Sequence, residues 1–334
     1  MTTKRETVLK VRDLRTWFFQ DGRVNRAVEG VSIELRQGQV LGVVGESGSG
    51  KSVTASSMMQ LLPPLARVES GSIDFVTRDG ERVDIAKLDR NGRKMRSLRG
   101  SEIAMIFQDP MVSLNPVYTI GWQLVEMLRL HEPLTKAEAK EKSIDLLRQM
   151  GIPSPEQRFD EYPHQFSGGM RQRAMIAMAV ACSPRVLIAD EPTTALDVTV
   201  QAQIFELIRK LRDDHGMATM LITHDMGVVA ELADEVAVMY MGKIVESGSV
   251  DQVMEDPQHP YTQALIASIP ILGKGKDQHL EAIKGSTPDP YDRPPGCEFA
   301  PRCPIAREIC HQPPPIVSIS PGHDILCWKE EFDD

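Results

Sequence analysis

The chain has 334 residues, enough for one large domain or two modest ones with ample core. Hydrophobic residues make up 41% and charged residues 25%, an ordinary soluble balance. Lys plus Arg is 38 against 47 for Asp plus Glu, a net charge of −9, which argues against a general nucleic-acid binder; no nucleic-acid partner is expected.

The N-terminus, MTTKRETVLKV, lacks the apolar core of a secretory signal. No apolar run approaches the roughly 18 residues of a spanning helix. A cytosolic chain with reduced thiols is therefore expected. Residues 41–52 read LGVVGESGSGKS, a short apolar strand entering a glycine-rich loop that ends in Lys51 and Ser52. Every fixed position of G-x-x-x-x-G-K-[ST] is met. Glycines let backbone N–H groups turn inward around phosphate oxygens, and the following helix presents its positive end to the same anion. The expected nucleotide-binding set is Gly45, Glu46, Ser47, Gly48, Ser49, Gly50, Lys51 and Ser52. Lys51 reaches the β- and γ-phosphates and Ser52 ligates Mg²⁺.

The basic run RNGRKMRSLRG (90–100) reads as a solvated helical face in an acidic chain. IGWQLVEMLRL and AEAKEKSIDLLRQM follow with helical periodicity; in the second, Ile144, Leu147 and Met150 share one side. VLIADEP (186–192) is a buried-strand pattern ending in Asp190 and Glu191. In a parallel α/β sheet ligands gather at the carboxyl ends of strands, so Asp190 is expected on Mg²⁺ and Glu191 as the base for an attacking water.

In chain order, IFQDP (106–110), FSGGMRQR (166–173), TTALD (193–197) and LITHD (221–225), with the phosphate loop and VLIADEP, resemble the nucleotide-binding subunit of an ABC transporter over about residues 8–250. The resemblance implies a P-loop α/β fold: a RecA-like α/β core, an antiparallel β subdomain and an α-helical subdomain at about 110–170. It implies domains at 1–250 for nucleotide binding and 251–334 for a loop-rich cysteine-bearing extension. It makes Gln108 the glutamine that meets the Mg²⁺ and water, alongside Ser52 and Asp190, and His224 the switch histidine at the γ-phosphate. Ser167, Gly168 and Gly169 become the signature facing ATP bound by the opposite subunit, and Asp197 a dimer-interface aspartate. Two departures stand out. FSGGM replaces the common LSGGQ, so Phe166 and Met170 stand for Leu and Gln. The adenine-stacking aromatic is sought among Trp17, Phe18 and Phe19, with Phe18 favoured; a phenyl ring offers no hydroxyl, so base selectivity is expected to be loose.

One chain carries one copy of each motif, so hydrolysis is expected to need a dimer, with ATP bridging the halves. HPYTQAL (259–265), YPHQFSGGM and DPMVSLNP are similar to the dipeptide and oligopeptide importers, and to their D-type ATPase subunit in particular. That resemblance implies a second, non-identical ATPase chain, two transmembrane permease subunits, an extracytoplasmic peptide-binding protein and a place on the cytoplasmic face of the membrane. Another solute, an oligosaccharide or nickel chelate, remains an alternative cargo, and a non-transport ABC ATPase an alternative role. Four of the five cysteines, Cys297, Cys303, Cys310 and Cys327, lie in the tail with spacing C-x₅-C-x₆-C-x₁₆-C. Four soft thiolates suit Zn²⁺ or an iron–sulfur centre, with unligated thiols a third reading. Similar tails in the importer family imply a [4Fe–4S] cluster. His311 and His323 are nearby substitute ligands, and Cys182, in AMAVACS, reads as a small buried hydrophobe.

Overall fold

In the computed structural model, residues 5–109, 113–193, 198–268 and 283–329 are described; Asp197 lies outside them. The strands are β1 (Thr7–Gln20), β2 (Arg23–Arg36), β3 (Val40–Val44), β4 (Ala66–Val76), β5 (Arg82–Asp84) and β6 (Ile103–Ile106). They continue with β7 (Val186–Asp190), β8 (Ala218–Thr223), β9 (Glu235–Tyr240), β10 (Lys243–Ser249), β11 (Ile316–Ser320) and β12 (His323–Leu326). The helices are α1 (Lys51–Met58), α2 (Arg93–Leu98), α3 (Ile120–His131), α4 (Lys136–Gln149) and α5 (Pro155–Phe159). After them come α6 (Gly168–Val180), α7 (Val198–His215), α8 (Met226–Leu232), α9 (Val250–Glu255) and α10 (Pro260–Ala267). The chain divides into a first unit, residues 1–9, 35–39 and 74–220, and a second, residues 10–34, 40–73 and 221–334.

The first unit is built on β6 and β7, a parallel pair in register from Ile103↔Val186 to Ile106↔Ala189, in the strand order β6-β7-β8. All nine residues of these two strands are buried, as expected for parallel strands covered on both faces. Its helices carry clear start signals. Thr119 caps α3 by accepting from Trp122 N, and Thr135 with Glu138 forms a capping box on α4. Along α4 and just past it, Leu147 and Met150 are buried and Ile144 is half-buried, the face its periodicity predicts. The basic run folds into α2, which buries Met95 and Leu98 and turns Arg93 and Arg96 to solvent.

In the second unit, β3 is buried throughout and runs parallel to β9, with Leu41 opposite Glu235 and Val44 opposite Val238. Strand order there is β11-β12-β10-β9-β3, and a β2-β1-β4 arrangement forms the other sheet. The tail is therefore not all loop. Its last segment forms the hairpin β11–β12, and β12 pairs antiparallel with β10, Glu246 opposite Ile325. Ile325 is the residue that anchors this addition, being fully buried.

Candidate nucleotide site and cysteine tail

The phosphate loop leaves β3 within the second unit and closes on its own lysine. Gly45 has φ 151° and a Cβ there would lie 2.2 Å from Met239 O; Gly50 has φ 101° and its Cβ would lie 2.4 Å from Ala27 O. Only glycine fits either place. Lys51 is buried, and its Nζ donates to Gly45 O at 2.7 Å, Glu46 O at 2.9 Å and Ser49 Oγ at 3.2 Å. No side chain caps α1, whose preceding residue is Gly50, and the start of such a helix presents its positive end to an anion. His224 is exposed just after β8, and the next residue, Asp225, caps α8 through Gly227 N and Val228 N.

The aromatic candidates separate cleanly. Trp17 donates to Glu29 Oε2 at 2.9 Å with Arg26 over its ring, and Arg67 lies over Phe19. Phe18 is half-buried, and among the described residues no cation covers its ring.

In the first unit, β7 ends on the buried Asp190, and Glu191 follows with φ 46°. A glutamate in the left-handed region is strained, and such strain clusters where a side chain must be aimed. Gln108 Nε2 donates to Glu191 Oε2 at 2.9 Å, which leaves the amide oxygen of Gln108 facing elsewhere. Ser167 caps α6 by accepting from Met170 N at 3.3 Å. Gly168, the first residue of α6, is exposed, and a Cβ built there meets nothing within 4 Å. Phe166 is buried while Met170 is half-buried, so the first departure from the common signature serves packing. Gln172, one turn into α6, donates to Pro192 O just after Glu191.

The tail reaches the phosphate loop. Glu46 N donates to the hydroxyl of Tyr261, at the head of α10, at 2.8 Å. The Glu46 carboxylate accepts from both terminal nitrogens of Arg302, at 2.6 and 3.0 Å. Arg302 also donates to Tyr240 Oη at 3.3 Å, and chiefly its hydrogen bonds to the Glu46 carboxylate hold the guanidinium above its ordinary, already very basic, range. Burial pushes the Tyr261 and Tyr240 phenols up. Nearby, the buried Glu246 carboxylate accepts from Gln258 N, His259 N and His323 Nε2, at 2.8, 2.8 and 2.7 Å. His323 thus has one ring nitrogen engaged by Glu246. The His259 imidazole is pushed down to about 3 by burial, with its Nδ1 accepting from Tyr261 N.

The four tail thiols share one neighbourhood. Cys297 N donates to Cys310 O at 2.9 Å, and Cys327 feels Cys310 while raising Cys297 and Cys303 electrostatically. Burial is the main cause that raises the Cys297 thiol to about 11 and lifts Cys303 and Cys327. Among the described residues, no three His, Cys, Asp or Glu side chains gather closely enough to hold a metal ion. Cys182 is buried outside this group, its thiol pushed up to about 11 by burial, as a small hydrophobe should be.

Two family models match the chain: "ABC transporter" over residues 28–194 and "Oligopeptide/dipeptide transporter, C-terminal region" over residues 245–310. The chain belongs to the ABC transporter ATP-binding family, in its oligopeptide/dipeptide branch. This ABC ATPase is 50% identical to the dipeptide transport ATP-binding protein DppD of Haemophilus influenzae, covering 92% of this chain and 91% of the relative. It is 46% identical to DppD of Escherichia coli over 96% of each chain. A probable peptide ABC transporter ATP-binding protein of Sinorhizobium fredii is 50% identical, covering 98% of this chain and 96% of that one. Among solved structures, the ATP-binding cassette MJ0796, a dimer bound to ADP and Pi, superposes with a TM-score of 0.64 at 22% identity. That match covers 72% of this ATPase and 98% of the cassette, and shows the shared fold. CbiO1 of Clostridium perfringens gives 0.60 at 27% identity, over 75% of this chain and 92% of that one.

The sequence-predicted residues of this ABC ATPase fall into two groups. The first unit holds Gln108, Asp190, Glu191, Ser167, Gly168 and Gly169, with Gln108 bonded to Glu191. The second holds Phe18, the loop from Gly45 to Ser52, His224 and the four tail cysteines. Three residues with contacts to the loop or its clamp were not singled out from sequence: Arg302, Tyr261 and Tyr240. HPY was visible as a motif, but its tyrosine carried no stated role; Arg302, in APRCP, carried no signal at all.

Proposed function

We propose that this ABC ATPase powers the uptake of dipeptides and short oligopeptides across the cytoplasmic membrane, through ATP-driven closure of a dimer and opening on hydrolysis. The observation that carries this reading is relatedness over nearly the whole chain to proteins named for peptide and dipeptide transport. The ATPase sits on the cytoplasmic face, bound to two permease subunits supplied by an extracytoplasmic peptide-binding protein; no helix among the described residues is long and apolar enough to span. Its dimer partner is a related, non-identical ATPase.

The roles follow the motifs. Gly45, Ser47, Gly48, Ser49 and Gly50 give the phosphates backbone donors, Glu46 completes the loop with its own N–H held on the Tyr261 hydroxyl, Lys51 supplies charge and Phe18 stacks on the adenine. Ser52, Asp190 and the amide oxygen of Gln108 are hard oxygen donors of the kind Mg²⁺ takes, so these side chains fit the metal that family ATPases use. Glu191 takes the proton of the attacking water and His224 contacts the γ-phosphate. Ser167, Gly168 and Gly169 serve the ATP of the opposite subunit, and Asp197 lies at that interface. The open space beyond Gly168 supports this, because nothing in its own chain requires a glycine there. Residues 1–250 form the nucleotide-binding domain, with helices at about 110–170, and 251–334 the extension.

The four tail thiols are proposed to hold a [4Fe–4S] cluster, with Zn²⁺ as the other soft centre the same donors accept. Donor chemistry supports it; the present spacing of the sulfurs closes no coordination shell, and ligation would draw the segment in as it binds. No step of hydrolysis is assigned to it.

The test is phosphate release by the complete complex in lipid vesicles. Peptide-loaded binding protein stimulates release, whereas an oligosaccharide or nickel chelate does not. Stimulation by one of those solutes instead would move the cargo to that class.

A further inference from the structure

The contacts of Glu46 point to a role for the tail in nucleotide binding: we propose that Arg302 and Tyr261 are positioning residues that hold the phosphate loop through Glu46. Glu46 is the second residue of the loop, and a carboxylate there opposes the triphosphate the loop is built to receive. Arg302 neutralises it in a two-toothed pair, at 2.6 and 3.0 Å, from 256 residues away in sequence. The guanidinium is itself fixed. Its side chain is 4% exposed, Nε donates to Lys284 O at 3.1 Å and one terminal nitrogen reaches Tyr240 Oη at 3.3 Å.

The rings of Tyr240, Tyr261 and Phe299 pack on one another with centroids 4.7–5.4 Å apart, and Arg302 lies against two of them. From this cluster the Tyr261 hydroxyl accepts the Glu46 N–H at 2.8 Å. Backbone and side chain of one loop residue are thereby held by two tail residues, and each contact leaves the lysine of the loop untouched. The HPY motif and the arginine beside Cys303 thus act in the known reaction by shaping and charge-balancing the loop, without touching nucleotide.

This inference rests on the assignment of residues 45–52 as the phosphate site, and the experiment separates the two. The full chain is titrated with the Mg²⁺ complex of a non-hydrolysable ATP analogue, and ATPase rates are measured in the assembled complex. Arg302→Ala raises Kd and the KM for ATP about tenfold with kcat little changed, the weight of one lost charge-assisted pairing. Adding Glu46→Gln to Arg302→Ala brings Kd back toward wild type, since the unbalanced charge is gone; a merely structural arginine would show no such rescue. Tyr261→Phe keeps the ring and weakens binding about threefold. If Arg302→Ala does not fold, Arg302→Lys, which keeps the charge and loses the fork, gives an intermediate Kd. Wild-type affinity in Arg302→Ala or Arg302→Lys, or absence of rescue by Glu46→Gln, overturns the proposal. Lys51→Ala is the control: unchanged affinity there would instead remove the phosphate-loop assignment itself.

Discussion

Replacing Gly168 by alanine separates a structural glycine from one reserved for a ligand. Gly168 opens α6 with no positive φ, and a Cβ there has nothing within 4 Å. Alanine is favoured over glycine in helices by about 0.8–1 kcal/mol in the interior and less at an end, so Gly168→Ala leaves stability unchanged or raises it by up to roughly 1 kcal/mol. Hydrolysis behaves differently if the N-terminus of α6 lies against the γ-phosphate of the opposite subunit. A methyl group there displaces a charge-assisted N–H contact of about 1.5–3 kcal/mol, lowering ATPase turnover roughly 10- to 150-fold. Gly50→Ala is the contrast, because its Cβ would sit 2.4 Å from Ala27 O, and the variant loses stability as well as activity. Urea denaturation gives the first quantity, and phosphate release by the assembled complex the second. A stable Gly168→Ala protein with wild-type turnover would refute the assignment of the signature to a partner's nucleotide.

Glu191→Gln retains ATP binding, stalls phosphate release by at least about a hundredfold and accumulates the closed dimer on gel filtration with ATP; near-normal turnover would remove Glu191 as the base. His259 gives a pH dependence of stability. Burial holds its folded pKa at about 3, below the roughly 6.5 of an unfolded histidine, so between these values the unfolded chain binds a proton that the folded chain refuses. Its contribution is complete above pH ~6.5 and lost as pH falls toward 3, about 1.4 kcal/mol per pH unit or roughly 2 kcal/mol by pH 5. His259→Asn, which keeps a capping side chain, flattens that acid limb in urea titrations; parallel limbs in both proteins would contradict the burial argument. Anaerobically purified protein contains iron and labile sulfide near four each per chain, with a visible absorption lost in Cys303→Ser. One zinc without colour would replace the cluster by a zinc clip, and neither metal would leave four free thiols.

What the sequence made legible was set by local chemistry. Gly45 and Gly50 had to be glycines for reasons that a short motif encodes, and the buried runs of β3 and β7 announced their own ends at Gly45 and Asp190. The apolar side of α4 followed from a 3.6-residue period. Long-range pairings were not legible. Nothing in the string links Glu46 to Arg302, 256 positions on, because an ion pair requires the fold before the partners can meet. The same holds for Glu246 and His323, which the pairing of β12 with β10 brings together: nothing in the string links the histidine to that buried carboxylate. The hairpin β11–β12 was hidden for another reason: Ile316 is exposed and the buried positions of β12 are held by Ile325 and a histidine, His323, so the apolar alternation in the string is weak. The strain at Glu191, φ 46°, also has no sequence signature.

The central claim is that this chain's hydrolysis of ATP drives peptide import. Its most direct test is uptake of a labelled dipeptide into vesicles carrying the complete complex, with ATP on the side of the ATPase subunits. Uptake that requires ATP and disappears with Glu191→Gln is the predicted result. Vesicles that hydrolyse ATP and accumulate another solute but no peptide, or that import peptide equally well with Glu191→Gln, would contradict it.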